Sequence, residues 1–543
     1  MANNFADLFE HSVDAMTDRV ALIAAGRQVT YGELEIDANR LAHHLLDSGL
    51  GIGSHIGIHM HNSIETMVAL IAAFKIRGVP ININYRYSCD ELAYVYDNAD
   101  LAAVIHHRSY SDRVDEVLAR LPRITHSVVV EDDLFTYLPS RSVPYAEAVE
   151  NASDARDFGP RYADDLFIMY TGGTTGQPKG VMWRQEDMWR VLGGGTDFYT
   201  GEMVADEFQQ SLMGSKNEPT RWFALPPLIH ASAMMPTFTA LWSGNTVVFE
   251  SKFDPYRTWE LVQRHQTQVL IITGDAMGRP LVDALRDRPV DVSCLSVIAS
   301  GAALFAASTK DALFGLLPDV IVSDSVGSSE TGFGGIGLAH RGLRQAGGPT
   351  VQPGRDSLVV DDDGRAVAPG VEGWLAKTGS VPLGYYKDPA KSAKLFRDVD
   401  GRRIVVTEDR AVQVDSGITL LGRGNMVINT GGEKVFVEEV EGVLKAFGDV
   451  YDAIVVGVPD ERWGFRVAAV LATAPGATLD TYGLIEHARK ALAGYKIPRS
   501  LWLEAEISRT PSGKPDYRWA QQITTTREPD HEIGLGGGEG KSR

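Results

Sequence analysis

Residues 171 to 180 read Thr-Gly-Gly-Thr-Thr-Gly-Gln-Pro-Lys-Gly, a density of glycine and hydroxyl side chains that suits an anion better than a packed helix or strand. Gly172, Gly173 and Gly176 let backbone N–H groups crowd around phosphate oxygens. Thr171, Thr174 and Thr175 offer hydroxyl donors, and Lys179 adds a cation. The apolar run Leu166 to Tyr170 predicts a strand that feeds the loop. It is not a Walker loop, because no Gly-Lys-Ser or Gly-Lys-Thr follows the glycines at the required spacing. A plain surface turn would not need three threonines and a lysine among its glycines, so the expected ligand is a nucleotide.

The loop resembles the signature loop of the adenylate-forming enzymes, the superfamily of acyl-CoA synthetases, nonribosomal-peptide adenylation domains and firefly luciferase. Further blocks follow in that superfamily's order: Val326-Gly327-Ser328-Ser329-Glu330-Thr331, Gly384-Tyr385-Tyr386 with Pro389, Thr407-Glu408-Asp409, Gly422-Arg423 running to Gly431-Gly432, and Thr510-Pro511-Ser512-Gly513-Lys514. One glycine loop is weak evidence, but ordered blocks from residue 171 to residue 514 extend the resemblance over essentially the whole chain. The resemblance implies an enzyme that activates a carboxylic acid. The carboxylate attacks the α-phosphate of ATP, pyrophosphate leaves, and the acyl group passes from AMP to coenzyme A.

By the same resemblance Lys514 is the adenylation lysine, and Glu330 is the carboxylate beside Mg²⁺, with Ser329 donating to phosphate. Gly301, Ala302, Asp324, Ser325 and Val326 match segments that line the adenine, while Asp409 and Arg423 match the ribose contacts. Gly431 and Gly432 match the turn that admits the pantetheine arm, and Asn425 falls at the hinge position, where many relatives carry Asp or Lys. The usual Thr-Gly-Asp is here Thr407-Glu408-Asp409, which loses the glycine and keeps the carboxylate. Taken alone, Ser-Ser-Glu-Thr reads as a capped turn, Gly431-Gly432 as a β-turn and Lys514 as a solvated lysine. Only their place within the blocks separates the readings.

For the acid, His230 falls where the superfamily sets a ring at the wall of the acyl pocket, although by itself it reads as a structural histidine. Ala231, Ala233 and Gly274 are small, Met235 and Met277 are deformable, and Gly327 joins them on the substrate side. Neither pocket stretch carries Arg or Lys before Arg279, which favours a bulky apolar acid. Val181 to Arg184, Thr273 to Leu285, Asp324 to Gly335 and Lys514 to Ala520 are similar to the synthetases that load cholesterol-type steroid side chains onto CoA, although Gln185 replaces an expected histidine. The expected substrate is therefore a steroid side-chain or long-chain fatty acid. The alternatives are a medium-chain, long-chain or aryl-acid CoA ligase, or an amide synthetase with an amine acceptor.

The elements that must position these groups alternate short apolar runs with helical periods, as in an α/β protein of layered sheets and helices. Leu41–Leu50 and Thr66–Ile76 read as amphipathic helices, and His55–His59 and Val247–Glu250 as strands. After Gly422 comes a compact pattern: strand Met426–Asn429, turn Gly431-Gly432, helix Val437–Phe447 and strand Ala453–Val458. The expected division is a large N-terminal domain over 1–422, a hinge over 423–427, a small mobile α+β domain over 428–524 and a glycine-rich flexible tail over 525–543.

A chain of 543 residues with 44% hydrophobic residues supports several packed subdomains. Its net charge of −19 repels nucleic acid and anionic membranes alike, so phosphates must be met by local donors. Cys89 and Cys294 are the sole cysteines, and no run suggests a leader or a span, which predicts a cytoplasmic protein with no transmembrane segment; a homodimer is left open. Gly332 to Gly337 fits the dinucleotide fingerprint but follows a polar segment, so it reads as a loop that only mimics it. His59 and His61 read as core or solvated histidines rather than metal ligands.

Overall fold

The computed structural model describes residues 4–132, 137–139, 141–171, 177–197, 202–301, 303, 305–343, 350–354, 356–423, 427–430, 433–460, 464–510 and 513–533. Within them lie a 14-stranded, an 8-stranded and a 6-stranded sheet. In the first, strands Val20–Ala24, Thr246–Phe249, Arg221–Ala224, Val269–Ile272, Val297–Ser300 and Ile321–Ser328 form a parallel group in that order. In the second, His55–His59, Val79–Asn82, Ala103–His107 and Leu166–Thr171 form a parallel group, and Lys179–Arg184 returns antiparallel to the last. Such sheets gather ligands at the carboxyl ends of their strands.

The main core lies between these two sheets, joining Leu22, Val247 and Phe249 of one to Ile56, Ile58 and Phe167 of the other. Helix Ile64–Lys75, capped by Ser63, runs through it and is buried at nearly every position, so the expected amphipathic helix is instead an all-round core helix. The helix expected from Leu41 is the second half of Tyr31–Asp47, which a Thr30–Glu33 capping box starts. Gly332–Ala339 is a strand, paired antiparallel with Ile321–Ser328, where a loop was expected. Glycine weakens strands by propensity, but here the partner backbone approaches so closely that side chains would not fit. A Cβ on Gly327 would stand 2.0 Å from the Gly332 carbonyl oxygen.

The C-terminal sheet packs helix Val437–Lys445 against strand Val450–Asp460. The helix stops two residues before the expected Phe447, and the strand extends beyond the expected Ala453–Val458 at both ends.

Lys75 ends the core helix with its ammonium wholly buried between Glu10, in a very short contact, and Glu35 at 2.9 Å. Arg161 also pairs with Glu10, and Arg156 with Glu35 at 2.8 Å. Burial would raise the Glu10 pKa, but Lys75 and Arg161 outweigh it and hold it below the ordinary carboxylate range. Its contribution to stability is therefore fully present above the ordinary carboxylate range and is lost as pH falls below that range through the depressed folded-state value. Lys75→Met is expected to destabilise the fold by about 3 kcal/mol, because it leaves buried carboxylates short of a counter-charge. Urea denaturation checks this: a midpoint equal to wild type would mean that Arg156 and Arg161 suffice.

Candidate active site

The base of the glycine loop is a strand pair in which Thr171 stands opposite Lys179. Lys179 Nζ lies 5.1 Å from the centre of the Tyr385 ring, and the Tyr385 hydroxyl donates to Glu330 Oε1 at 2.9 Å. The loop cation, Tyr385 and the candidate metal-side carboxylate thus form one cluster. Glu330 sits in a turn that Ser328 caps, its Oγ accepting the Glu330 and Thr331 N–H groups at 3.2 Å. Trp183, fully buried, donates to the Ser329 carbonyl at 2.9 Å and ties the turn to the strand after the loop. The capped turn read from Ser-Ser-Glu-Thr is present, and it fixes the backbone of Ser329 and Glu330.

On the strand that leads into this turn, Ser325 Oγ donates to the carbonyl of Ser300 on the neighbouring strand at 3.1 Å, and Gly301 follows Ser300 directly. A Cβ on Gly301 would meet Ser325 Oγ at 2.8 Å, so these nucleotide-side candidates do lie together. Asp324 pairs with Lys310 in a very short contact; burial nevertheless raises the Asp324 pKa against the pull of Lys310. Asp409 stands opposite Arg423 across adjacent antiparallel strands. The Asp409 N–H donates to Thr407 Oγ1 at 3.1 Å, and Thr407 donates to the Leu375 carbonyl at 2.8 Å. Gly172, Gly173, Thr174, Thr175, Gly176, Ala302, Asn425, Gly431 and Gly432 lie outside the described residues, as does the Arg423 side chain.

On the acyl side, two asparagines fasten the Pro226–His230 segment to the second sheet. Asn62 accepts from the Leu228 N–H at 2.7 Å and donates to the Pro226 carbonyl at 3.0 Å. Asn82 donates to the Ile229 carbonyl at 2.7 Å and accepts from the Tyr170 N–H at 2.7 Å. His230 then caps helix Ala231–Trp242 with its Nε2 buried and without a hydrogen-bond partner. Its pKa is pushed down to about 3, first by burial and then by the charges of Lys514 and Arg86. Ala233 and Met235 are fully buried in the main core, while Ala231 is only partly so and Met277 packs against the separate core around Phe223 and Leu281.

Lys514 arrives on a turn whose Gly513 has φ +75°, a conformation that favours glycine. A Cβ on Gly513 would stand 3.1 Å from both Thr273 Cγ2 and Ala276 Cβ, at the start of helix Gly274–Asp287. The Lys514 N–H donates to Thr510 Oγ1 at 3.1 Å. Sequence reasoning missed Asn62, Asn82, Arg86 and Lys310, because isolated polar residues after apolar runs carry no motif. The position of Asn82 at the carboxyl end of a parallel strand was a usable signal. His59, the discarded metal candidate, is fully buried and hydrogen-bonds Tyr96 at 3.1 Å through Nδ1.

Layered sheets and helices followed by a small C-terminal domain are the architecture of the adenylate-forming enzymes. The chain belongs to the AMP-binding enzyme family: the family model matches residues 9–386, and the model of the AMP-binding enzyme C-terminal domain matches residues 439–514. It is 49% identical to a 3-oxocholest-4-en-26-oate–CoA ligase of Rhodococcus rhodochrous, covering 99% of each chain. It is 47% identical to a medium/long-chain-fatty-acid–CoA/3-oxocholest-4-en-26-oate–CoA ligase of Mycolicibacterium smegmatis, covering 98% of each. Among solved structures, an anthranilate CoA ligase in complex with anthranoyl-AMP matches with a TM-score of 0.83 at 19% identity, over 96% of this chain and 97% of the other. ATP-bound MatB from Rhodopseudomonas palustris matches with 0.81 at 24% identity, over 96% and 99%.

Because Lys514 depresses the His230 pKa, Lys514→Met is expected to raise it, though burial keeps it below the ordinary histidine value. Following the imidazole protons by NMR as pH falls checks this. An unmoved His230 titration would show that the lysine does not reach it in solution.

Proposed function

We propose that the chain is an ATP-dependent acyl-CoA synthetase that activates a bulky apolar acid, with steroid side-chain acids and long-chain fatty acids as its substrates. The observation that supports the adenylation step is the seating of Gly513, the neighbour of Lys514, on Thr273 and Ala276, with the lysine charge close enough to depress the His230 pKa. The substrate class rests on the two nearly full-length relatives, whose names specify a 3-oxocholestenoate and medium- to long-chain fatty acids.

In this reading a carboxylate oxygen of the acid attacks the α-phosphorus of ATP, and the bond to the β-phosphate oxygen breaks to release pyrophosphate. Thr171, Lys179 and the glycines between them hold the departing phosphates, and Ser329 donates to phosphate. Asp409 and Arg423 hold the ribose, and Gly301, Ala302 and Asp324 to Val326 line the adenine. Lys514 donates to the oxygens on which charge builds up. Glu330, steadied by the Tyr385 hydroxyl, offers the oxygen donor that Mg²⁺ takes. Mg²⁺ bound there would neutralise phosphate charge. In the second step the CoA sulfur attacks the acyl carbonyl and AMP leaves, with the pantetheine arm passing Gly431 and Gly432. Residues 1–422 form the adenylating domain, 423–427 the hinge at Asn425, and 428–524 the mobile domain. Among the described residues no helix is long and apolar enough to cross a membrane. A cytoplasmic site fits two soluble cosubstrates and free Cys89 and Cys294.

Pyrophosphate release is expected with steroid side-chain acids and long-chain fatty acids, and thioester only when CoA is added. Product formation from an amine in place of CoA would turn the reading to an amide synthetase. Lys514→Ala is expected to cut acid-dependent exchange of pyrophosphate into ATP by about 100- to 1,000-fold, while supplied acyl-adenylate still reacts with CoA. Equal loss in both half-reactions would remove Lys514 from the phosphoryl step.

A further inference from the structure

Helix Gly274–Asp287 carries Asp275, Arg279 and Asp283 at intervals of four, so the three side chains share one face. Each of them meets the C-terminal lobe. Asp275 Oδ2 lies 3.4 Å from Lys445 Nζ, with both side chains almost wholly buried. The Arg279 guanidinium donates to the carbonyls of Lys445 at 2.6 Å and Val450 at 3.1 Å, and to that of Tyr451. The Tyr451 ring centre lies 5.7 Å from the guanidinium carbon, and its hydroxyl is pushed up to about 12 by burial and by the nearby Asp283 charge.

Lys445 is the last residue of helix Val437–Lys445, where carbonyls lack partners within the helix and the dipole end is negative. Arg279 thus caps, from one lobe, the end of a helix that belongs to the other. One turn back along the docking helix, Thr273 and Ala276 receive Gly513, the neighbour of Lys514.

The contacts are also built to separate. Lys445 has a second ionisable neighbour within its own lobe, the buried Glu441 one turn earlier, whose pKa burial pushes up to about 8 against the pull of Lys445. Asp275 also accepts the Ala306 N–H at 3.0 Å, and Arg279 also reaches Thr309 Oγ1 at 3.4 Å. Undocking leaves each of the three groups one partner in its own lobe, which lowers the cost of exposing them.

We infer that Asp275, Arg279 and Asp283 form a docking face that positions the Lys514 lobe for adenylation and has no part in thioester formation. They are positioning residues, since none of them touches the reacting atoms. The inference rests on the ligase reading for its two half-reactions, but not for its geometry.

Arg279→Ala is expected to lower kcat for acid-dependent pyrophosphate exchange by about 10- to 100-fold, the scale set by misplacing a catalytic group by an ångström. The reaction of supplied acyl-adenylate with CoA is expected to be unchanged. Arg279→Lys should restore part of the loss, since one ammonium can serve some of the carbonyls. Small-angle scattering of the unliganded protein should give a larger radius of gyration for Arg279→Ala than for wild type. Tyr451→Phe, a milder change on the partner lobe, should shift both readouts in the same direction. Equal loss in both half-reactions at a wild-type melting temperature, or no loss at all, would overturn the docking face, as would an unchanged scattering profile. A wild-type chain that exchanges pyrophosphate with no acid would overturn the ligase reading instead, and scattering would still decide the docking face.

Discussion

Gly513 passes so close to Thr273 and Ala276 that a methyl group would crowd both, and this contact fixes where the Lys514 turn meets the large domain. A lysine is a flexible point charge, so its value at a reacting phosphate depends on the backbone that carries it. Here that backbone is pinned through a glycine at positive φ and held by hydrogen bonds between Thr510 and Lys514. The sheets, the Arg279 cap and the hydrogen bonds that orient His230 all converge on the same small region.

The electrostatics follow from that convergence. A chain of net charge −19 repels the polyanion it is proposed to bind, so each cation must be placed by structure and not by the overall field. Lys310 is engaged by Asp324, and Lys179 lies beside the Tyr385 ring. His230, squeezed between burial and two cations, stays neutral at physiological pH. A neutral ring at that point adds no second positive charge beside Lys514.

Legibility in the sequence followed locality. His55–His59 was read to the residue and Leu166–Tyr170 nearly so, because an apolar run ending at a turn signal is a local pattern. The burial of helix Ile64–Lys75 was not legible, since periodicity cannot report two sheets closing on one helix, and a lysine at its end argues for exposure. The Gly332–Ala339 strand failed for the opposite reason: its glycines, poor strand formers, are there for close backbone packing. The ordered motif blocks named most nucleotide-side candidates. Asn62, Asn82 and the Asp275–Arg279–Asp283 face act through partners far away in sequence, and no spacing within the chain announces such partners.

The same distinction bears on how acid specificity is set. Ala233 and Met235 belong to the main core and are fully buried, so their volumes are constrained by that packing as much as by any ligand. Enlarging Ala233 would overpack that core and cost about 1–3 kcal/mol before any substrate entered. Ala231 and Met277 are only partly buried, on helices that belong to different cores. The Pro226–His230 segment, which leads into the helix of Ala231, is fixed by Asn62 and Asn82. Under the proposed function, width for a rigid acid would come from the spacing of two separately packed helices, and Ala231 and Met277 are the proposed wall residues that the two cores leave partly exposed.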